Sequence, residues 1–269
     1  MLNTVKSEPS VMELFRLCDR VAVVTGTAGH LGSAMARALA EVGCRVITTS
    51  RDANRASEAA SFLPDPNGVG HLGVVLDHTD PHSIDRCIEF VKREVGQIDV
   101  LVNNAHEATT ADWKNVSVEE FQRHFANITA YFHLARQVHN LAVERGAGAS
   151  IVMLGSMYGV VGSYPDAYQD ICPASPAAYH ALKGGVIQLT RHLAVYWAKD
   201  NVRVNCLSPG PFPSDHADSK LVERLAAKSP IGRMGRPHEL KGALLLLASD
   251  AGSYITGQNL IVDGGWTAW

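Results

Sequence analysis

Tyr179 and Lys183 are the two side chains whose types and spacing indicate chemistry most directly. Four residues apart in a segment with a helical apolar pattern, they lie on one helical face, one turn apart. A phenol with its unperturbed pKa of about 10 is a poor acid–base catalyst at neutral pH, but a cation within about 5 Å favours the phenolate. At an effective dielectric constant of about 20 the pair is worth roughly 3 kcal/mol, or about two pKa units. The pair is therefore suited to proton exchange with a substrate, but so short a motif by itself favours a surface tyrosine beside a solvated lysine.

A second candidate is the glycine turn in the run VAVVTGTAGHLG at residues 21–32. An apolar strand breaks at Thr25–Gly26, and a helix resumes around Leu31–Gly32. Such a turn aims backbone N–H groups and the positive end of a helix at a phosphate. Gly26 would supply the tight turn, and Gly32 would let the helix lie close on the strand. On this stretch alone, an ordinary strand-to-helix turn without a ligand stays open.

Short apolar strands alternate with longer helices along the chain, and these elements must position the two candidates. Strands are predicted at 21–25, 45–49, 73–76, 98–102, 150–154, 202–206 and 259–262, and helices at 33–42, 52–62, 81–95, 118–145, 177–199 and 237–248. The alternation indicates βαβ units and a parallel sheet covered by helices on both faces. We predict one doubly wound α/β domain over residues 15–269, preceded by a flexible extension at 1–14.

Polar or backbone-exposing residues follow six of the predicted strands, at the edge where a doubly wound sheet binds ligands. Beyond the glycine turn they are Ser50-Arg51, Asp77-His78, Asn103-Asn104-Ala105-His106, Gly155-Ser156 and Ser208-Pro209-Gly210. Because the carboxyl ends of parallel strands meet at one edge, we expect these residues to line one site.

Composition and charge narrow the class of protein. The 269 residues are 46% hydrophobic and 19% charged, with a formal net charge of −3, so we expect a globular protein that binds neither nucleic acid nor an anionic membrane surface. The five cysteines are scattered without a CxxC pair, which predicts free thiols in a reducing compartment, a cytoplasmic location and no metal site. Residues 1–20 do not read as a signal peptide, and no apolar run of about 18 residues predicts a membrane span.

Motifs spread over the chain are similar, in type and in order, to those of one known family. They are TGTAGHLG at 25–32, NNAH at 103–106, Asn127, Ser156, Tyr179-x-x-x-Lys183, Pro209-Gly210, RMGRPHEL at 233–240 and YITGQNLIVDGG at 254–265. Together they closely resemble the single-domain branch of the short-chain dehydrogenase/reductase family, across about residues 15–265. The resemblance implies a Rossmann fold with about seven parallel strands, a nicotinamide cofactor and oxidoreductase activity on CH–OH groups.

The resemblance implies a catalytic set of Asn127, Ser156, Tyr179 and Lys183. Tyr179 would exchange the proton with the substrate oxygen, and Ser156 would hydrogen-bond that oxygen. Lys183 would hold the nicotinamide ribose and lower the pKa of Tyr179. Asn127 would bind a water that links Lys183 to solvent; without the family, an ordinary helix-surface amide is the simpler interpretation of Asn127.

The resemblance also implies a cofactor site. Asp77 would meet the adenine amino group, Asn104 and Ala105 would pack on the adenosine end, and Pro209-Gly210 would lie beside the nicotinamide. The full set of implied cofactor-binding residues is Gly26, His30, Leu31, Ser50, Arg51, Asp77, His78, Asn104, Ala105, Tyr179, Lys183, Pro209, Gly210 and Phe212.

Three features depart from the family pattern. His30 stands where a third glycine would complete TGxxxGxG, so its side chain either points away from the pyrophosphate or hydrogen-bonds to it. His106 replaces the glycine after Asn-Asn-Ala, and either packs within the loop or lines the active site. The segment from Ser156 to Tyr179 is longer than usual, and its polar and aromatic residues suit hydroxyl-rich substrates; a surface loop without substrate contact is the alternative. The substrate candidates are His106, Ser156, Tyr164, Tyr168 and Tyr179.

The tip of the second strand indicates which cofactor is preferred. Ser50 occupies the position where NAD-selective folds place an acidic residue, and Arg51 offers a planar fork of donors to a 2′-phosphate. We therefore predict a preference for NADP(H), with NAD(H) still possible because a small loop shift could bring the Asp52 carboxylate to the ribose.

The sequence thus predicts an oxidoreductase that moves a hydride between a nicotinamide cofactor and a secondary alcohol or ketone. Its long segment and GGWTAW tail look closest to sugar, sugar-acid and polyol dehydrogenases of the gluconate 5-dehydrogenase type. A 3-oxoacyl-thioester reductase is the second interpretation, and a cofactor-sensing regulatory or scaffold protein is the third. Apolar residues in excess on the helices at 118–145 and 177–199 predict a subunit interface, and the family is mostly tetrameric.

Overall fold

The computed structural model describes residues 8–109 and 111–268. Seven strands form one sheet: β1 Val21–Val24, β2 Arg45–Ser50, β3 Leu72–Val75, β4 Val100–Asn103, β5 Ala149–Leu154, β6 Val202–Pro209 and β7 Asn259–Val262. All six pairings are parallel, in the order β3-β2-β1-β4-β5-β6-β7. The predicted α/β class, strand number and strand direction are confirmed.

In the described part of the chain, ten α-helices connect or flank these strands. They are α1 Val11–Phe15, α2 His30–Glu41, α3 Ala53–Ser61, α4 Pro81–Glu94, α5 Val118–His124, α6 Ala126–Glu144, α7 Pro165–Tyr168, α8 Ala177–Trp197, α9 Ser219–Ala226 and α10 Lys241–Ala248. Several begin where the sequence predicts a start: at α4, Asp80 accepts from the N–H of His82 at 2.9 Å, and Pro81 fixes the first helical residue.

The two faces of the sheet carry separate cores, because successive strand residues point to opposite sides. Val21 and Val23 pack with α4, α6 and α8, whereas Ala22 and Val24 pack with α2 and α10. The strand order reverses between β1 and β4, which are neighbours although two βα units separate them in the chain. A crevice therefore opens at the carboxyl ends of β1 and β4, the position at which doubly wound sheets bind ligands.

The single helix predicted at 118–145 is two helices, and the prediction of one is wrong. The break falls at Phe125, where the Asn127 side-chain amide donates to the carbonyl of His124 at 2.9 Å. A side-chain donor thus takes the carbonyl that a backbone N–H four residues later would otherwise use. The break leaves Asn127 in the first turn of α6, facing the crevice side of the fold.

Other differences lie outside the sheet. Of the extension predicted to be flexible, residues 1–7 lie outside the described part, and Val11–Phe15 forms a helix. Its capping box joins Ser10 and Glu13 in both directions, at 2.7 and 3.3 Å, which explains local order that composition did not reveal. Two helices that we did not predict, α7 and α9, lie in segments too short for a clear apolar period.

Candidate active site

A cavity of about 880 Å³ lies at the carboxyl ends of the strands and collects most of the predicted site residues. Its volume is in the range of small-molecule and cofactor sites. All fourteen predicted cofactor residues line it, as do Ser156 and His106. Asn127, Tyr164 and Tyr168 are not part of its wall.

The glycine turn forms a close-fitting cradle at one end of the cavity. Gly26 adopts φ +69°, a left-handed conformation that favours glycine, and a Cβ added at Gly32 would lie 2.2 Å from the carbonyl oxygen of Gly26. Gly29 caps α2 without a side chain, so the first-turn N–H groups of α2 face the cavity without a side-chain acceptor. His30 is exposed and opens α2 with a negative φ, so its Cβ causes no strain. These features fit a phosphate group.

Asn104 joins this cradle to β4. Its Nδ2 donates to the carbonyls of Thr25 at 2.8 Å and Gly26 at 3.2 Å. The Thr25 hydroxyl in turn accepts from the N–H groups of Asn104 and Ala105, both at 2.8 Å, and donates to the carbonyl of Val102 at 3.2 Å. The loops after β1 and β4 are therefore held together by side chains as well as by the sheet.

Two exposed guanidinium groups line the cavity beyond β2. Arg51 is the predicted one, and Arg55 stands one helical turn later. Neither guanidinium has a hydrogen-bond or ion-pair partner among residues 8–109 and 111–268. Asp52, by contrast, is engaged as the N-cap of α3, where its Oδ1 accepts from the N–H of Arg55 at 2.8 Å. The carboxylate that could favour NAD is thus held in a capping role, whereas both cations are available.

Asp77 and His78 follow β3 and line the same cavity. The Asp77 carboxylate accepts from the N–H and the hydroxyl of Thr79 at 2.9 and 2.8 Å. Burial is the largest single effect on the pKa of Asp77 and raises it. The hydrogen bonds from Thr79 lower this pKa, and with the nearby positive groups they outweigh burial, so the pKa is lowered overall. His78 Nε2 lies 3.0 Å from Asn127 Oδ1. The tip of β3 is therefore rigid and is linked directly to α6.

Tyr179, Lys183 and Ser156 meet at the opposite end of the cavity. Lys183 Nζ lies 5.5 Å from the centroid of the Tyr179 ring and donates to the carbonyl of Leu154 at 2.7 Å. Ser156 is buried directly after β5, and its hydroxyl accepts from the N–H of Tyr158 at 3.2 Å. The helical spacing and the strand end thus bring the predicted catalytic side chains together.

The predicted lowering of the Tyr179 pKa by Lys183 is not what the structure shows. Burial raises the pKa of Tyr179, and a hydrogen bond to Ser156 acts in the opposite direction. Burial also lowers the pKa of Lys183 to about 8. The Lys183 ammonium group lies over the phenol ring and donates to a carbonyl, while burial of Tyr179 outweighs the hydrogen bond to Ser156.

Asn127 is buried rather than a helix-surface amide, and the water that it is predicted to bind stays a prediction. It is 2% exposed, and all four of its side-chain hydrogen bonds are made with protein groups. Nδ2 donates to the carbonyls of Glu107 and His124, and Oδ1 accepts from the N–H of Glu107 and from His78. Because an amide offers two donors and two lone pairs, these bonds use the full hydrogen-bonding capacity of the side chain.

A cluster of aromatic polar side chains surrounds the catalytic pair. The His106 ring stands edge-on to Tyr179 and to His124, with centroids 5.3 and 4.9 Å apart. Within the described residues, three buried atoms here have no hydrogen-bond partner: His106 Nδ1, His124 Nε2 and the Tyr131 hydroxyl. Burial, with a smaller contribution from Lys183, lowers the pKa of His106 to about 3, so the imidazole is neutral. His106 thus presents a neutral polar ring beside Tyr179.

Tyr164 and Tyr168 are not part of the cavity wall, and their predicted contact with substrate stays a prediction. The Tyr164 ring packs against Trp266, with centroids 5.4 Å apart, and the Tyr168 hydroxyl pairs with that of Tyr158 at 2.6 Å. Their segment is attached to α9, where Arg224 donates to the carbonyls of Asp166 and Gln169, and to Lys228 just after α9, whose Nζ lies 2.6 Å from an Asp166 oxygen. Apolar residues of the segment form a small cluster with residues of α9 and with Trp266.

Two residues of the site, Arg55 and His124, were not predicted from the sequence. Arg55 could have been found from its spacing of four residues from Arg51 at the start of a predicted helix. His124 carried no signal, because its place beside Tyr179 depends on the break between α5 and α6. In the described ranges no cluster of three metal-ligating side chains occurs, and no helix there is long and apolar enough to cross a membrane.

Comparison with known proteins extends over almost the whole chain. A family model described as enoyl-(acyl carrier protein) reductase matches residues 26–267. Sorbose reductase from Candida albicans is 32% identical over 265 residues, 96% of this chain and 90% of that protein. Galactitol 2-dehydrogenase (L-tagatose-forming) from Cereibacter sphaeroides is 35% identical over 269 residues, 95% and 98% of the two chains.

The fold has equally extensive matches among solved structures. A gluconate 5-dehydrogenase from Burkholderia cenocepacia, in complex with NADP and tartrate, superposes with a TM-score of 0.86 at 28% identity, covering 97% of this chain and all of that one. Sequence motifs, sheet order and full-length matches agree. The chain therefore belongs to the short-chain dehydrogenase/reductase family and is a nicotinamide-dependent oxidoreductase that acts on CH–OH groups.

Proposed function

We propose that the substrate is a sugar, sugar acid or polyol, oxidised at a secondary alcohol or formed from the ketone. The observation that carries this proposal is the neutral His106 ring, which lines the cavity beside Tyr179. A polar ring in the cavity wall can hydrogen-bond a substrate hydroxyl, whereas an acyl chain offers it no partner. The matches to sorbose reductase, galactitol 2-dehydrogenase and gluconate 5-dehydrogenase support the same class.

A 3-oxoacyl-thioester reductase is the second candidate, favoured by the description of the matching family model. The two substrate classes make different demands on the cavity next to Tyr179. A hydroxyl-rich chain satisfies His106, whereas an apolar acyl chain leaves its nitrogen desolvated and unpaired.

A substrate panel tests the choice. We expect kcat/KM for the best ketose, polyol or sugar acid to exceed that for a 3-oxoacyl thioester by at least tenfold, since one unmade buried hydrogen bond costs about 1–3 kcal/mol. His106→Gly should narrow that gap by removing the polar ring. A thioester as the best substrate would overturn the proposal.

The catalytic roles follow from position. When bound, the nicotinamide ring supplies or accepts the hydride. In the reduction direction Tyr179 passes its hydroxyl proton to the substrate oxygen, and Ser156 donates a hydrogen bond to the same oxygen. Lys183 sits beneath the phenol ring, where a cation stabilises the phenolate that this transfer leaves.

Tyr179→Phe keeps the ring and removes the hydroxyl, so kcat should fall by about 10²-fold or more while the fold survives. Tyr158→Phe removes another part-buried phenol hydroxyl, one that lies outside the cavity wall, and should keep turnover close to that of the parent protein. Steady-state kinetics and thermal unfolding measure both. A Tyr179→Phe protein with more than about a tenth of the parent kcat would contradict the assignment.

A preference for NADP(H) is the second part of the proposal. Arg51 and Arg55 both face the cavity, and Ser50 adds no negative charge that would repel a 2′-phosphate. One charge-assisted contact is worth roughly 1.5–3 kcal/mol, or about 10- to 100-fold in preference. Two guanidinium groups at the same end of the cavity support a preference for NADP more strongly than Arg51 alone.

Replacing both groups, as Arg51→Leu/Arg55→Leu, should lower kcat/KM for NADP by about 10²-fold or more and change that for NAD little. Adding Ser50→Asp should invert the preference by introducing repulsion. Arg86→Leu, at an exposed position of α4 that does not line the cavity, is the matched control. If the parent protein favours NAD, the proposal fails.

We further propose that the protein is a homotetramer. We also propose that it works in the cytoplasm, because its five cysteines are free thiols. The expected apolar excess on α6 and α8 is partly absorbed by the core, because Ala135, Ile187 and Leu193 are buried. Val195 and Tyr196 remain 78% and 63% exposed on α8 and support an interface there.

Light scattering at micromolar concentration should give four times the chain mass of 28.9 kDa. Val195→Asp/Tyr196→Asp should shift the distribution toward smaller species, because an apolar interface does not tolerate two buried carboxylates. Val75→Asp, at a position 47% exposed in β3, controls for surface charge. A stable monomer of the parent chain would refute the tetramer.

A further inference from the structure

His78 Nε2, 3.0 Å from Asn127 Oδ1, has a single chemical interpretation. The opposite orientation of the Asn127 amide would set its NH₂ group against the N–H of Glu107 and its oxygen against two carbonyls. Oδ1 must therefore face Glu107 N–H at 2.8 Å, and His78 must carry its proton on Nε2 and donate it. His78 is thus a fixed donor to Asn127.

The contacts of Asn127 make this bond part of a bridge. Its amide holds Glu107 on both sides, by accepting from the backbone N–H at 2.8 Å and donating to the carbonyl at 3.1 Å. Glu107 directly follows His106, whose ring stands 5.3 Å from that of Tyr179. One amide therefore connects the tip of β3 to the loop after β4, and that loop carries a ring placed against the catalytic phenol.

We propose that His78 is a positioning residue for catalysis: through Asn127 it holds the Asn104–Glu107 loop, and with it His106, in place beside Tyr179. The inference rests on the proposed catalytic role of Tyr179. His78 lies at the end of β3, and the proposal gives it a role in positioning groups beside Tyr179. This role is separate from any contact that His78 makes with the cofactor. Asn127 then acts in catalysis as a structural clamp, through hydrogen bonds to protein groups.

The anchoring at each end supports a clamp. On the β3 side, the N–H of Asp77 donates to Ser83 at 3.0 Å, and its carboxylate is bound twice by Thr79, so His78 has a rigid base. On the α6 side, the donation of Asn127 to the carbonyl of His124 fixes the amide plane. Removing the His78 donor leaves a buried carbonyl-type oxygen short of one partner and frees one corner of the bridge.

The test compares His78→Leu, which removes the donor, with His78→Gln, whose side-chain amide can replace it. His78→Leu should lower kcat roughly tenfold or more, while the Kd for NADPH, measured by fluorescence, stays within about threefold of the parent value. His78→Gln should restore most of kcat. Hydrogen exchange should quicken several-fold in peptides covering residues 104–109 of His78→Leu, because the N–H of Glu107 is one that the amide holds.

His133→Leu is the matched control. His133 lies on α6, and its Nε2 bonds to Asp85 Oδ1 at 2.8 Å, but it is not part of the cavity wall. It should leave kcat and exchange in 104–109 unchanged even if it lowers the melting temperature. A double-mutant cycle with Asn127→Ala completes the design: the loss of kcat in the double variant should be no greater than that of Asn127→Ala alone, because His78 acts through the amide.

Two results would overturn the clamp. One is an increase in the Kd for NADPH of tenfold or more with unchanged exchange in 104–109, which would make His78 a direct cofactor contact. The other is strict additivity of the His78 and Asn127 substitutions. The exchange measurement requires no substrate, so a failure of the clamp is distinct from a failure of the Tyr179 assignment, which Tyr179→Phe tests separately.

Discussion

The contact between the glycine turn and the loop after β4 is the constraint on which the rest of the site depends. The Thr25 hydroxyl and the Asn104 amide together make five hydrogen bonds where the strand order reverses. A parallel sheet supplies no backbone bond beyond its last residue pair, so side chains must hold the two loops at the width of the crevice. The close approach of Gly32 to Gly26 sets the position of α2 against these hydrogen-bonded loops. The same set of hydrogen bonds therefore holds both the glycine turn and the loop after β4.

The catalytic end shows the opposite balance of forces. Lys183 is 4% exposed and is bound to one carbonyl, and three buried polar atoms around it have no partner among the described residues. Each such group lowers the stability of the fold, by roughly 1–3 kcal/mol where a donor or acceptor is left unsatisfied. The well-satisfied networks at Asn127 and Thr25 flank this region and hold it in place. Hydrogen-bonded networks that stabilise the fold therefore surround the site, whereas polar groups without partners lie within it.

The sequence predicted what depends on local pattern. Sheet class and strand number followed from alternating apolar runs, and the residues of the cavity wall followed from the rule that parallel strands end at one edge. The proximity of Tyr179 and Lys183 followed from helical spacing, and their catalytic roles followed from the family resemblance. What it missed depends on tertiary detail: the break at Phe125 arises from a side-chain amide that captures a carbonyl, and the positions of Tyr164 and Tyr168 depend on packing against Trp266. The direction of the Tyr179 pKa was also wrong, because spacing gives proximity to a cation but not burial.

The attachment of the segment after Ser156 has a consequence for how such enzymes diversify. The segment is joined to α9 by Arg224 and to the turn after α9 by Lys228, and its apolar side chains pack with residues of α9 and the C-terminal end of the chain. It makes no strand pairing with the sheet. Residues can therefore be gained or lost there without altering strand register, so long as the complementary surface on α9 changes with them. The two segments form a module that selection can exchange as a pair, while the hydride-transfer machinery beneath is inherited unchanged.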